Sequence, residues 1–75
     1  MQKYADTDRD SGVDLFEISD TAIKVIFKSG PKVYVYTYTK PGQVHVEEMK
    51  KYALAGEGLN AYINSKIKSN FSHKE

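Results

Sequence analysis

Three stretches in the N-terminal half of the chain concentrate apolar side chains as β-strands do. Residues 13–18 and 22–28 are rich in valine, isoleucine and phenylalanine, and residues 33–38 contain only β-branched and aromatic side chains. Short polar connections with serine, glycine and aspartate separate the three stretches. Strands joined by short connections pair in an antiparallel way, so the pattern predicts a three-stranded antiparallel β-meander.

The C-terminal half shows helical spacing instead. Apolar side chains recur every three to four residues over residues 44–53 and again over residues 59–71. Gly56 stands where the first helix would end, and Gly58 stands just before the second. Both helices need a surface on which to bury their apolar sides. The sequence therefore predicts an α+β fold, a three-stranded antiparallel β-meander followed by two α-helices packed on one face.

The turn at residues 29–32 sets the register of the second predicted hairpin. With a two- or four-residue loop, Phe27 lies opposite Tyr34. Two residues further from the turn, Val25 then lies opposite Tyr36. This register predicts one aromatic face, which the helices cover, and one face of lysine and aliphatic side chains, which they leave open.

Charge and length suggest how the chain is divided. Its 75 residues suit one domain with a thin core. Residues 1–20 hold two cationic and six acidic side chains, whereas residues 21–75 hold nine lysines and four glutamates. We expect residues 1–12 to form a flexible acidic leader, residues 13–71 a single domain, and residues 72–75 a tail.

The composition also bears on location. There is no cysteine, so disulfides and thiolate zinc sites are excluded. The first residues lack the apolar segment of a signal peptide, and no apolar run approaches the roughly 20 residues of a membrane span. We predict a cytoplasmic protein that does not associate with membranes.

Several motifs, in a fixed order, resemble the KTSC domain. They are FKSG at residues 27–30, YxY at residues 34–36 and GxGLNxYI at residues 56–63. The KTSC domain is found at the C-terminus of some lysyl-tRNA synthetases and as stand-alone bacterial and phage proteins. The resemblance covers about residues 11–71 and implies a small domain for which RNA is a suggested ligand.

The resemblance also marks family motif residues, namely Tyr34, Tyr36, Gly56 and Gly58. Aromatic side chains on a sheet can stack on nucleobases. The two helices, however, need the same face of the sheet for their own burial. We therefore assign the motif tyrosines to the core and the motif glycines to the ends of the helices.

Lysines on the open face and its turns form the first candidate site. They are Lys24, Lys28, Lys32 and Lys40. A group of lysines attracts phosphates and other anions. The predicted function is therefore a small non-catalytic binding module whose partner is RNA or a protein. Lys66, Lys68 and Lys74 lie near the end of the second helix and extend the basic surface.

The acidic segment is the second candidate site and supports an alternative function. Counted from Asp6, its carboxylates fall at positions 1, 3, 5, 9 and 12 of a calcium-binding EF-hand loop. These residues are Asp6, Asp8, Asp10, Asp14 and Glu17. Position 6 is Ser11 rather than glycine, and a strand rather than a helix is predicted to follow. The alternative is a calcium-binding domain with a structural or regulatory role.

Catalytic residues are sparse. His45 and Glu48 lie one helical turn apart, but the sequence completes neither a triad nor a metal-ligand set around them. We predict no enzymatic activity and no cofactor.

Overall fold

The fold was obtained as a computed structural model that describes residues 1–7 and 12–75. In chain order its elements are β1 (Gln2–Lys3), β2 (Val13–Ser19), β3 (Ala22–Phe27), β4 (Val33–Thr37), α1 (Gln43–Ala55), α2 (Leu59–Tyr62), a π-helix (Ile63–Ile67) and β5 (His73–Lys74). The strands form one antiparallel sheet in the order β1-β2-β3-β4-β5. The predicted α+β fold, a meander followed by helices, is confirmed, and the sheet has an additional short strand at each edge.

The helices cover one face of the sheet, and the core lies between the two layers. From the sheet it includes Phe16, Val25 and Tyr36, each almost fully buried. From α1 and α2 it includes Met49 and Leu59, which are also buried. Burial of a side chain of this size stabilises the fold by roughly 1.5–3 kcal/mol, so this layer supplies most of the stability of so small a domain.

A β-bulge in β2 adjusts which side chains reach the core. Val13 pairs with Phe27, but Leu15 pairs with Ile26, so one extra residue stands between the two pairs. A bulge shifts the alternation of side chains by one position. As a result Val13 and Phe16, three residues apart, are both buried on the helix-covered face.

The register predicted for the second hairpin is wrong by two residues. Val25 pairs with Tyr34 rather than Tyr36, and Ile26 pairs with Val33. The connection is longer than a tight turn, because β3 ends at Phe27 and β4 begins only at Val33. Side chains alternate with a period of two, so this shift leaves the same residues on each face.

The N-terminal segment and the last residues belong to the folded unit. Tyr4, which the sequence analysis placed in the leader, is 2% exposed and its ring meets that of Phe16 edge-on. The backbone N–H of Thr7 donates to the carbonyl of Gly56 at 2.8 Å. β5, placed in the predicted tail, pairs with β4. Both chain ends therefore add to the sheet that residues 13–37 begin.

Glycines and a change of helix type shape the helical layer. Gly56 ends α1 in the left-handed conformation, with φ of 76°, as the sequence predicted for a C-cap. The second helix differs from the prediction of one helix from Leu59 to about Asn70. It is α-helical only over Leu59–Tyr62 and continues as a π-helix to Ile67.

Candidate functional site

An open cleft of about 650 Å³ lies between the sheet and the π-helix, at the end of the sheet where β3 leads into β4. The floor of this cleft consists of the aromatic rings of Phe27, Tyr34, Tyr36 and Phe71. Its wall on the helical side carries Asn60 and Asn64, and its rim carries Lys28, Lys68 and Lys74. Among the described residues that line it there is no aspartate or glutamate.

The floor consists of rings that hold one another edge-on. The Tyr34 ring lies 5.2 Å from that of Phe27, at 80°, and 5.1 Å from that of Phe71, at 90°. Edge-to-face contacts of this kind are worth about 0.5–1.5 kcal/mol each beyond the burial itself. Tyr36 lies beneath, and burial raises the pKa of its hydroxyl so that it stays neutral. The floor is therefore rigid, apolar and uncharged.

The rim carries three lysines in different situations. Lys28 is held by Asp6, with 2.7 Å between Nζ and the carboxylate. Nζ of Lys74 lies 5.3 Å above the Tyr34 ring and 5.6 Å above the Phe71 ring, which is cation–π geometry. In the part of the chain that the structure describes, Lys68 and Lys74 have no carboxylate partner. The cleft thus has two cations available to an anion.

Uncommon backbone conformations border the cleft. The π-helix ends at Ile67, and the next residue, Lys68, has a φ of 56°, which residues other than glycine rarely adopt. π-helical turns and non-glycine residues at positive φ are both enriched at functional sites. Here the two occur together, and Lys68 lines the cleft directly.

The four lysines predicted from the sequence do not form one site. Lys24 lies on the open face and pairs with Glu75 at 3.2 Å, and this hydrogen bond holds the pKa of Glu75 below its usual range. Lys28 lines the cleft. Lys32 is exposed in the connection between β3 and β4. Lys40 is exposed beyond the other end of β4, where its carbonyl accepts from the N–H of Thr37.

Of the family motif residues, the tyrosines line the cleft and the glycines lie at helix ends. Tyr34 is half-buried and Tyr36 is buried, yet both line the cleft, so the assignment of these tyrosines to the core describes only part of their position. Gly56 and Gly58 both adopt positive φ at helix ends. A Cβ on Gly58 would lie 2.9 Å from the Tyr52 ring, so this glycine allows the two helices to pack closely.

The acidic residues of the calcium alternative are only partly described. Asp6 pairs with Lys28, and Asp14 pairs with Lys3 at 3.3 Å. Glu17 is exposed within β2, whereas Asp8 and Asp10 lie outside the described residues. Within residues 1–7 and 12–75, no three histidine, aspartate or glutamate side chains converge as metal ligands would.

A second polar group lies between α1 and α2, away from the cleft. His45 Nδ1 is hydrogen-bonded with the Tyr62 hydroxyl at 2.7 Å, and the Tyr62 ring lies against that of Tyr52 at 5.2 Å. Burial, followed by the charge of Glu48, raises the pKa of the Tyr62 hydroxyl. This contact ties the second helix to the first.

Sequence reasoning missed much of the cleft. Asn60 was noted only as one position of the GxGLNxYI motif and Asn64 was not noted at all, although they stand four residues apart and so on one side of a helix. Phe71 was assigned to a helix face, and Lys68 and Lys74 were noted only as part of the basic surface. The spacing of the asparagines was a usable signal, but only the return of the chain through β5 shows that Lys74 faces the same cleft.

Comparison of the chain with protein-family models, with curated proteins and with solved structures found no match. In the described part of the chain, no helix has both the length and the apolar character that crossing a membrane requires. The resemblance to the KTSC domain stays a prediction.

Proposed function

We propose that this chain is a small non-catalytic module that binds single-stranded RNA, and that the cleft receives one nucleotide. The observation that carries the proposal is the meeting of an aromatic floor with Lys68 and Lys74. Within residues 1–7 and 12–75 these two cations have no carboxylate partner, and no carboxylate lines the cleft. Proteins that bind single strands combine these same two elements, aromatic surfaces for bases and lysines for phosphates.

The size of the cleft supports a nucleotide-sized ligand. Its volume of about 650 Å³ falls within the roughly 300–1,000 Å³ of small-molecule sites. Half-buried Tyr34 and Phe71 offer apolar ring surface to a base. Stacking on such a surface is worth about 1–3 kcal/mol per base. The cleft is open to solvent, so a strand can extend beyond it.

This proposal moves the site predicted from the sequence. Of the four predicted lysines only Lys28 lines the cleft, and Lys24 lies on the open face. RNA as the ligand, the absence of catalysis, the cytoplasmic location and membership of the KTSC family all remain part of the proposal. They are supported by the chemistry of the cleft, by the lack of cysteine and by the sequence motifs.

The test is fluorescence anisotropy with a short labelled single-stranded RNA at two salt concentrations. Each phosphate contact contributes about −0.7 to the slope of log affinity against log salt for single strands. Contacts from Lys68 and Lys74 then give a slope of about −1.4. Absence of binding at low salt would contradict the proposal and favour a protein partner.

A pair of double variants locates the site. Lys68→Gln with Lys74→Gln removes two positive charges from the cleft, and should weaken binding and flatten the salt slope. Lys32→Gln with Lys40→Gln removes the same charge from exposed positions outside the cleft. The second variant should bind nearly as the wild type does. Equal loss in both would show that general charge, and not the cleft, attracts the RNA.

A further inference from the structure

The wall of the cleft carries two amide side chains. Asn60 belongs to α2 and Asn64 to the π-helix, and both line the cleft. In the described part of the chain neither amide has a hydrogen-bond partner. Each amide offers one acceptor oxygen and two donor hydrogens. Two free amides above an aromatic floor are placed to contact the edge of a base that lies on that floor.

The two asparagines differ in exposure. Asn60 is half-buried, and its Oδ1 would lie only 3.2 Å from a Cβ on Gly12. The glycine thus leaves room for the amide at the closed side of the cleft. Asn64, one helical turn further along, is exposed. One amide is therefore partly enclosed by the protein, and the other is exposed.

The other groups of the cleft narrow the choice of base. Cytosine is typically read by a carboxylate that accepts from its N4 amino group, and no carboxylate lines the cleft among the described residues. Guanine is typically read by arginine or lysine at O6 and N7. In the proposed function the lysines contact phosphates, and Lys28 is already held by Asp6. Asparagine pairs in a bidentate way with adenine, donating to N7 and accepting from N6.

We propose that the cleft selects adenine, with Asn60 contacting the base edge and Asn64 assisting. This inference rests on the proposed function, because it assumes that a base enters the cleft. The Tyr34 and Phe71 rings are perpendicular, so a base stacks on one of them, and adenine, as a purine, covers more of that ring than a pyrimidine does. A good bidentate pair discriminates against the wrong base by about 5- to 150-fold.

The experiment measures the affinity of short oligouridines of one length that carry a single central adenine, cytosine or guanine, beside the all-uridine strand. We expect the adenine strand to bind at least about fivefold more tightly than the other three. Using one adenine per strand avoids the self-stacking of adenine runs.

If all four strands bind equally, the selection of adenine is wrong while the proposed function stands. If the guanine strand binds best, the lysines and not the amides read the base, and the inference is likewise wrong. If none binds, the proposed function fails and the inference fails with it.

Variants connect the preference to the amides. Asn60→Ala with Asn64→Ala should remove the preference, so that the adenine strand binds no more tightly to the variant than the all-uridine strand does. Asn70→Ala, at an exposed asparagine outside the cleft, is the matched control and should keep the preference. If the double variant is too unstable for binding measurements, Asn64→Ala alone is measured instead, because it changes an exposed side chain. A preference for adenine that survives both the single and the double substitution would overturn the assignment.

Discussion

The backbone N–H of Leu59 donates a hydrogen bond to the hydroxyl of Tyr4 at 3.2 Å, across 55 residues of sequence. Leu59 begins α2, where the N–H groups have no partner within the helix. The Tyr4 ring meanwhile packs edge-on against Phe16 of β2. A single side chain from the N-terminal segment thus supports both the sheet and the start of the helix that forms the cleft wall.

Substitution of Tyr4 tests this support. Tyr4→Ala should destabilise the fold by about 3–5 kcal/mol, because it leaves a cavity in the core. Tyr4→Phe keeps the ring but leaves the Leu59 N–H unpaired, which should cost about 1–3 kcal/mol. Urea unfolding measures both. Tyr34→Phe is the control, since its hydroxyl makes no hydrogen bond within the described residues. Wild-type stability of Tyr4→Ala would show that residues 1–7 do not contribute to the core.

The two glycines Gly56 and Gly30 form a second matched pair. A Cβ on Gly56 would lie 2.5 Å from the Cβ of Ala5, and its φ of 76° is unfavourable for any other residue. Gly56→Ala should lower stability by at least about 1–2 kcal/mol, from the conformation alone. Around Gly30 a Cβ would meet nothing within 4 Å, so Gly30→Ala should be nearly neutral. Thermal melting compares the stabilities of the two variants, and equal melting temperatures would contradict the close approach of Gly56 to Ala5.

The contact of Glu47 with Tyr38 and Lys50 predicts a pH dependence. Lys50 first, and Tyr38 second, hold the pKa of the Glu47 carboxyl below its ordinary value of 4.5. A carboxyl with a lowered pKa in the folded state stabilises the fold above its unfolded pKa, and this contribution is lost as the pH falls through the folded value. Glu47→Gln should therefore melt below the wild type at neutral pH, and the difference should shrink below about pH 4.5.

Melting temperatures of both proteins at neutral and acidic pH measure this effect. The control is Glu57→Gln, at an exposed glutamate that forms no ion pair within the described residues. Its difference from the wild type should be small and nearly constant with pH. If the difference in melting temperature between Glu47→Gln and the wild type stays the same at acidic pH, the ionised Glu47 carboxylate is not its cause.

The calcium-binding alternative predicts that calcium stabilises the fold, and this can be measured. Asp6 and Asp14 already pair with Lys28 and Lys3, and Glu17 lies on a strand rather than on the helix that an EF-hand requires. We expect millimolar calcium to leave the melting temperature unchanged, because a ligand stabilises only the state that it binds. An upward shift that Asp8→Ala abolishes would restore the calcium-binding alternative.

The elements and the layers follow from local patterns in the sequence. Side chains such as Val35 and Tyr36 alternate with the period of a strand, and Val46, Met49 and Ala53 recur with that of a helix. Such periods depend only on neighbouring residues, so the α+β fold and the helix-covered face could be predicted. Gly56 was likewise predictable as a helix end, because the left-handed conformation favours glycine.

Only the tertiary structure decided the register, the edges of the sheet and the cleft. The bulge beside Val13 and the shift that pairs Val25 with Tyr34 depend on how well whole faces fit the helices, which no local pattern records. Tyr4 stands in a mostly polar stretch of the sequence, and its burial requires the distant N-terminus of α2. The cleft brings Lys28, Asn60 and Lys74 together from three separate segments. Long-range contacts of this kind arise when apolar layers close on one another, so the site was assembled by packing and not by any single motif.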